Sequence, residues 1–220
     1  MRLNLGFIFL FFSLIFTSCA GYRYTQADNP LRQYGIDSLS IPMFYNNSSL
    51  PEVSSSFTRE TYKLLSGFSG LKLSSGWNKN SDALLVGIVR SQEKLSDTLR
   101  SENQRVAQSA APKAIGETRP EFYVPGSTTV NLSLQVIVIK KPTDEELSLL
   151  QSELGPKIPP QGKIVFNETF SLNETFLREI FDQEATSVVG TQNAGALRRT
   201  KDSLAAKAAQ QIRDMILYAF

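Results

Sequence analysis

The sequence predicts an α+β fold with two amphipathic helices and four to five strands. Three observations carry this reading. Apolar and polar residues alternate strictly from Thr129 to Val136, an apolar residue returns every three to four positions from Val53 to Leu65, and an alanine-rich amphipathic stretch closes the chain from Leu197 to Phe220. Alternation by two builds a strand with one face buried; return at three to four builds a helix with one apolar stripe.

The chain opens with a single cation, Arg2, and an apolar run from Leu5 to Phe16 broken only by Gly6 and Ser13. As a helix this run spans roughly 18 Å, well short of the roughly 30 Å of a bilayer core. It reads as a leader peptide rather than as an anchor. Phe16-Thr17-Ser18-Cys19 then brings two small residues up to the only cysteine of the chain. This segment resembles the lipobox of bacterial lipoproteins. A lone cysteine in an exported chain has no partner for a disulfide, and lipidation supplies its use. The expectation is cleavage before Cys19 and a lipid anchor on that residue; Ala20 at the next position, in place of Asp, implies sorting to the outer membrane.

The expected organisation is therefore a leader over 1–18, a lipidated tether over 19–35, and a single domain over 36–220 with a long loop at 91–128. Gly21 to Tyr34 is polar and aromatic, as a tether should be. Ile36 to Ile41 reads as the first strand, with Leu39 and Ile41 on one face and Pro42 ending it. Phe44 to Ser48 is turn-rich. Pro51 and Glu52 announce a helix whose stripe is Val53, Phe57, Thr61, Leu64 and Leu65, with Gly67 placed as its C-terminal glycine. Leu71 and Leu73 mark a short second strand. Ala83 to Val89 is apolar almost throughout, the mark of a central strand covered on both faces over part of its length.

Ser91 to Thr128 carries Pro112, Pro120 and Pro125 and reads as a long insertion, its cations and acids in balance. In the next strand Val130, Leu132, Leu134, Val136 and Val138 take one face. Thr129, Asn131, Ser133 and Gln135 take the other, giving way to Ile137 and Ile139. Lys163 to Leu172 adds an edge strand with Ile164, Phe166 and Phe170 in register. In the last helix Leu204, Ala208, Ile212 and Met215 form the stripe that Ala205 and Ala209 widen, while Arg198, Arg199, Lys201, Lys207 and Arg213 stay wet.

Composition narrows the chemistry. There are 23 Lys and Arg against 21 Asp and Glu, so nothing global draws the chain to nucleic acid. Histidine is absent and the single cysteine is taken by lipid, which removes Ser-His, Cys-His and His-metal chemistry. The one acidic run, Asp144-Glu145-Glu146 after Pro142-Thr143, reads as the first turn of a short helix, where negative charge meets the helix dipole. No phosphate loop or metal-ligand spacing is present. The chain is expected not to be an enzyme and to need no cofactor or metal.

Taken together, Cys19 with Gly21-Tyr22, Leu39-Ser40-Ile41-Pro42-Met43-Phe44 followed by Asn46, Asn47 and Pro51, Ser81 to Val89, Val130 to Ile139 and the alanine-rich last helix resemble the LptE family, lipoprotein partners of the LptD barrel in lipopolysaccharide assembly. Ala20 departs from the family habit of placing glycine directly after the cysteine. The resemblance implies two helices packed on one face of a small mixed four- to five-stranded sheet, seated as a plug in an LptD-like outer-membrane barrel on its periplasmic side and binding lipopolysaccharide. Phosphates beside acyl chains call for cations on a semi-apolar platform, and Arg90, Lys94 and Lys140-Lys141 stand at strand ends. Such cations also serve solubility and edge protection. If strands three and four are antiparallel neighbours, Arg90 and Lys140 lie at opposite ends; these two are the expected contributors, each acting separately. The competing reading is an outer-membrane lipoprotein that activates a periplasmic cell-wall synthase, like LpoB. A tether of about 15 residues, reaching at most roughly 50 Å, favours a partner at the membrane.

Overall fold

Twenty residues, Glu121 to Lys140, run as one strand, and the rest of the sheet is hung on it. The computed structural model describes residues 28–91, 98–107, 121–146, 163–180 and 186–218, so the leader and Cys19 lie outside the described residues. In chain order the elements are β1 (Ser38–Ile41), β2 (Tyr45–Asn47), α1 (Val53–Leu65), β3 (Lys72–Ser75), β4 (Ala83–Ser91), β5 (Leu99–Ala107), β6 (Glu121–Lys140), β7 (Ile164–Leu177) and α2 (Thr186–Tyr218).

The seven strands form five columns. β1 and β2 lie one after the other along one edge of β4, both parallel to it. β3 is parallel to β1 on its outer side. β4 and β5 lie one after the other along one edge of β6, antiparallel to it, and β7 is antiparallel along the other edge. The α+β class and the mixed sheet are as expected, and the two interrupted columns explain why four to five expected strands are seven segments. Pro42 interrupts the first column, as its missing N–H requires.

The long-loop expectation is corrected. Leu99 to Ala107 and Glu121 to Thr128 pair as a ladder that prolongs the sheet, with one shift at Pro125-Gly126, where two residues of β6 oppose one of β5. The sequence hides these strands because Arg100 to Arg105 is polar on both faces, and Pro125 argues against a strand unless it sits at such a bulge. The edge strand is also longer than expected. Its Ile164 and Phe166 fall on opposite faces, because the register shifts at Val165.

One face of the sheet carries both helices. α1 buries Val53, Phe57, Thr61 and Leu65, as its period predicts, and α2 buries Leu204, Ala205, Ala208, Ala209, Ile212 and Ile216. With Leu39, Ile41, Leu85, Val89, Val130, Leu132, Leu134, Val136, Val138 and Phe166 they make one core. The alanines let α2 lie close to α1. The opposite face holds a smaller buried cluster, Leu84, Val86, Ile88, Ile137 and Ile139, so β4 is indeed covered on both sides. Tyr45 packs on that cluster, and burial pushes its phenol pKa up.

Several side chains depart from expectation. Lys201 is buried, its ammonium donating to the Pro51 carbonyl at 3.2 Å with Glu52 at 3.5 Å, so it ties the start of α1 to α2. Asp202 adds to this tie through Ser56 at 2.9 Å and Arg59 at 3.2 Å. The C-cap of α1 is Ser66 in right-handed geometry, and the positive φ belongs to Gly70 rather than Gly67. Lys141, which the following Pro142 steers away from helical geometry, has φ 44, its N–H turning back to the Asp82 carbonyl at 2.8 Å. The stretch expected as tether is packed from Asn29 onward: Pro30–Tyr34 is a 3-10 turn capped by Asn29, and Leu31 is fully buried. Thr143 and Glu146 form a reciprocal capping box, as an acidic first turn should.

The loop from β3 to β4 crosses β1 on the face away from the helices, where Ser38 and Ser40 point. Ser40 donates to the Gly76 carbonyl and accepts from the Asn78 N–H; Asp82 accepts from the Ser38 hydroxyl at 2.7 Å and from its N–H at 2.9 Å. Those bonds hold the Asp82 carboxyl below its ordinary pKa, the Ser38 hydroxyl first, the Asp37 and Ser38 N–H groups and the charge of Lys141 adding to it. A lowered folded pKa stabilises above the unfolded value, near ~3.9, and the benefit disappears as pH falls through the lower folded value. The wild type should therefore melt above Asp82→Asn at neutral pH, with the gap closing below about pH 4; melting curves offset equally at pH 7 and pH 3 would sink this assignment.

Phe44 lies flat against β4 at Gly87, where an added Cβ would sit 2.3 Å from the ring. Its N–H is held by Thr58 of α1 at 2.9 Å, so the ring cannot simply withdraw. Gly87→Ala should cost about 2 kcal/mol by overpacking, a fall in Tm of roughly 4–8 °C. A thermal melt unchanged from wild type would refute the contact.

Candidate functional site

β6 turns Thr129, Asn131, Ser133 and Gln135 away from the helices, and β7 answers each of them across the ladder. Thr129 pairs with Thr175, Asn131 with Asn173, Ser133 with Ser171, and Gln135 with Thr169. The result is a sheet face of uncharged amides and hydroxyls, one flank of which is Arg90 on β4, paired with Ser133. The face is internally bonded. The Arg90 guanidinium donates to the Gln135 amide oxygen at 2.6 Å, the Gln135 amide donates to Asn167 at 2.8 Å, and the Thr129 and Thr175 hydroxyls meet at 2.7 Å.

The β7 half of this surface was not anticipated. Its signal is present in the sequence: Asn-Glu-Thr-Phe occurs at 167–170 and again at 173–176. A six-residue spacing is three full strand periods, so the asparagines and threonines of both copies fall on one face and the phenylalanines on the other.

The two expected ligand-binding cations stand far apart in role as well as place. Arg90 is exposed, on the polar face, at a point where β5 continues the column beyond it, so it is not at the end of the sheet. Lys140 pairs with Ala83 at the other end of β4 and reaches to the helix-bearing face, where its ammonium donates to the Tyr34 carbonyl beside Gly35. The antiparallel pairing of β4 with β6 thus separates them, as inferred from the sequence. Cys19 lies outside the described residues.

Two of the clefts that flank α2 also border β7. One, of about 340 Å3, lies between its first turns and the β5–β7 region, floored by Leu99, Phe176 and Leu197 with Arg178 at its rim. The other, of about 550 Å3, lies between β7 and the last turns of α2. Among the described residues no group of acidic side chains is arranged to hold a metal ion, and no helix is long and apolar enough to cross a membrane.

No protein-family model and no curated protein matches the chain. Similar solved structures include the minor lipoprotein from Acinetobacter baumannii, 14% identical over 84% of this chain and 92% of that one, with a TM-score of 0.36. Rare lipoprotein B from Shewanella oneidensis is 11% identical over 80% of this chain and 95% of that one, TM-score 0.34. The PelC dodecamer from Paraburkholderia phytofirmans gives 12% identity over 86% and 91%, TM-score 0.34.

The geometry separates the polar face from the scaffold in a measurable way. Gln135→Ala breaks two bonds between exposed groups and should change stability by less than about 0.5 kcal/mol. Lys140→Met leaves the part-buried Tyr34 carbonyl without its donor and should cost about 1–2 kcal/mol. Equal effects on the denaturant midpoint would show that Lys140 is not part of the scaffold.

Proposed function

We propose that this chain is an outer-membrane lipoprotein, anchored by lipid on Cys19 at the periplasmic face, that acts as plug and lipopolysaccharide-binding subunit of an LptD-like barrel. The observation that carries the reading is the polar face of β6 and β7. Its β6 and β7 side chains are Thr, Asn, Ser and Gln, with Arg90 and Arg100 along the flank, so it keeps its hydrogen bonding whether it meets bulk water or a water-lined lumen. The resemblance of its motifs to the LptE family supports the same partner, as does the packing of the chain from Asn29 onward, since a shorter tether from Cys19 would hold the domain closer to its membrane. Arg90 is the better placed of the two cations for an anionic ligand. Lys140 contributes only where its bond to Tyr34 is given up.

Affinity purification of the tagged full-length chain should recover a large barrel in near one-to-one amount. Recovery of a cell-wall synthase instead would favour the LpoB-like activator. Arg90→Asp should weaken lipopolysaccharide binding more than Arg213→Asp, an exposed change on α2. Equal losses would show that general charge governs binding. Absence of binding by the unmutated chain would end the ligand assignment and leave the plug to be decided by the purification.

A further inference from the structure

β7 is fourteen residues long and, among the described residues, pairs with β6 alone. Its outer edge therefore presents a row of backbone N–H and C=O groups without strand partners, the template on which another strand adds. Proteins ordinarily guard such edges with proline, lysine, shortness or bulges. Ile164–Leu177 contains no proline and no lysine, and its one register shift lies at Val165, near its start. Among the described residues no strand pairs with the rest of this edge, and its only charged side chains are Glu168 and Glu174.

Beside this edge lies the cleft of about 550 Å3 between β7 and the end of α2. Phe166, Phe170, Met215 and Tyr218 give it apolar walls, and Tyr218 is 77% exposed. Glu168, between the two phenylalanines on the same strand face, and Asp214 give it negative charge without a cation in its lining. Gln211, at its back, has a buried amide oxygen with no hydrogen-bond partner, which asks for a donor. A second copy of this chain is a poor occupant, because β7 carries two glutamates and no cation, and pairing it with itself sets acid against acid.

We propose that the free edge of β7 takes up an extended segment of a partner protein as a sixth column of the sheet, with apolar, cationic and apolar side chains at successive inward positions. The apolar pair fills the cleft against Phe166 and Phe170, and the cation between them meets Glu168 and Asp214. This does not rest on the plug reading, since it concerns the other face and the edge of the sheet.

The test uses the folded full-length chain in detergent and a fluorescently labelled peptide, Thr-Ile-Thr-Arg-Thr-Ile-Thr, followed by anisotropy. Saturable binding is expected, weakened about tenfold by Glu168→Lys, an exposed change that leaves the core intact. Two further peptides carry N-methyl groups on alternate amides, one set each. Strand addition requires that one set abolishes binding, because its amides face β7, while the other set is tolerated. No binding by the parent peptide, equal behaviour of the two methylated peptides, or indifference to Glu168→Lys would each overturn the proposal. So would a concentration-dependent dimer of the free chain that Glu168→Lys disperses or strengthens, since it would assign the edge to a second copy.

Discussion

The register of β6 against its neighbours is the constraint on which everything else depends. One strand of twenty residues pairs with β4 and β5 along one edge and β7 along the other, so one alternation decides the environment of three columns at once. Its even-numbered residues from Val130 to Val138 make the floor under both helices. A slip by one residue would send these valines and leucines to the polar face and bring Asn131 and Gln135 under α2. Bulges mark where the alternation is reset, at Pro125-Gly126 against β5 and at Val165 in β7.

Around this floor the chain is fastened by polar groups at crossings that apolar packing cannot specify. Asp82 with Ser38, and Ser40 with Gly76 and Asn78, hold the loop that crosses β1. Lys201 and Asp202 fasten the two helices through Pro51, Glu52, Ser56 and Arg59. Hydrophobic burial is non-directional and would accept several crossings of short strands; donor and acceptor geometry selects one.

Two surfaces of the sheet differ in chemistry. The outer face of β6 and β7 is built of uncharged side chains already bonded to one another. The edge of β7 and its cleft offer main-chain pairing, apolar pockets and negative charge in a narrow strip. Both depend on the doubled Asn-Glu-Thr-Phe segment, whose polar and aromatic residues are sorted to opposite faces by the strand period.

Elements whose apolar period is self-contained were legible in the sequence. Val53–Leu65 as a helix and the stripe of the last helix follow from periodicity, and Ala83–Val89 as a strand buried on both sides follows from its continuous apolar run, since each needs only its own residues. The separation of Arg90 from Lys140 was legible too, given an antiparallel pair. What the sequence could not declare was anything whose environment comes from another element. Leu99–Ala107 and Glu121–Thr128 look like loop because the polar run Arg100–Arg105 and the Pro125-Gly126 bulge owe their strand geometry to the ladder between them. Lys201 looks wet on its own helix and is buried only because Pro51 and Glu52 arrive from α1. Lys140 looks like a free cation until Tyr34 turns its carbonyl toward it. Burial and hydrogen bonding are properties of pairs of elements, so a single chain's pattern fixes which face is apolar, and only tertiary structure decides which polar residues that face will trap.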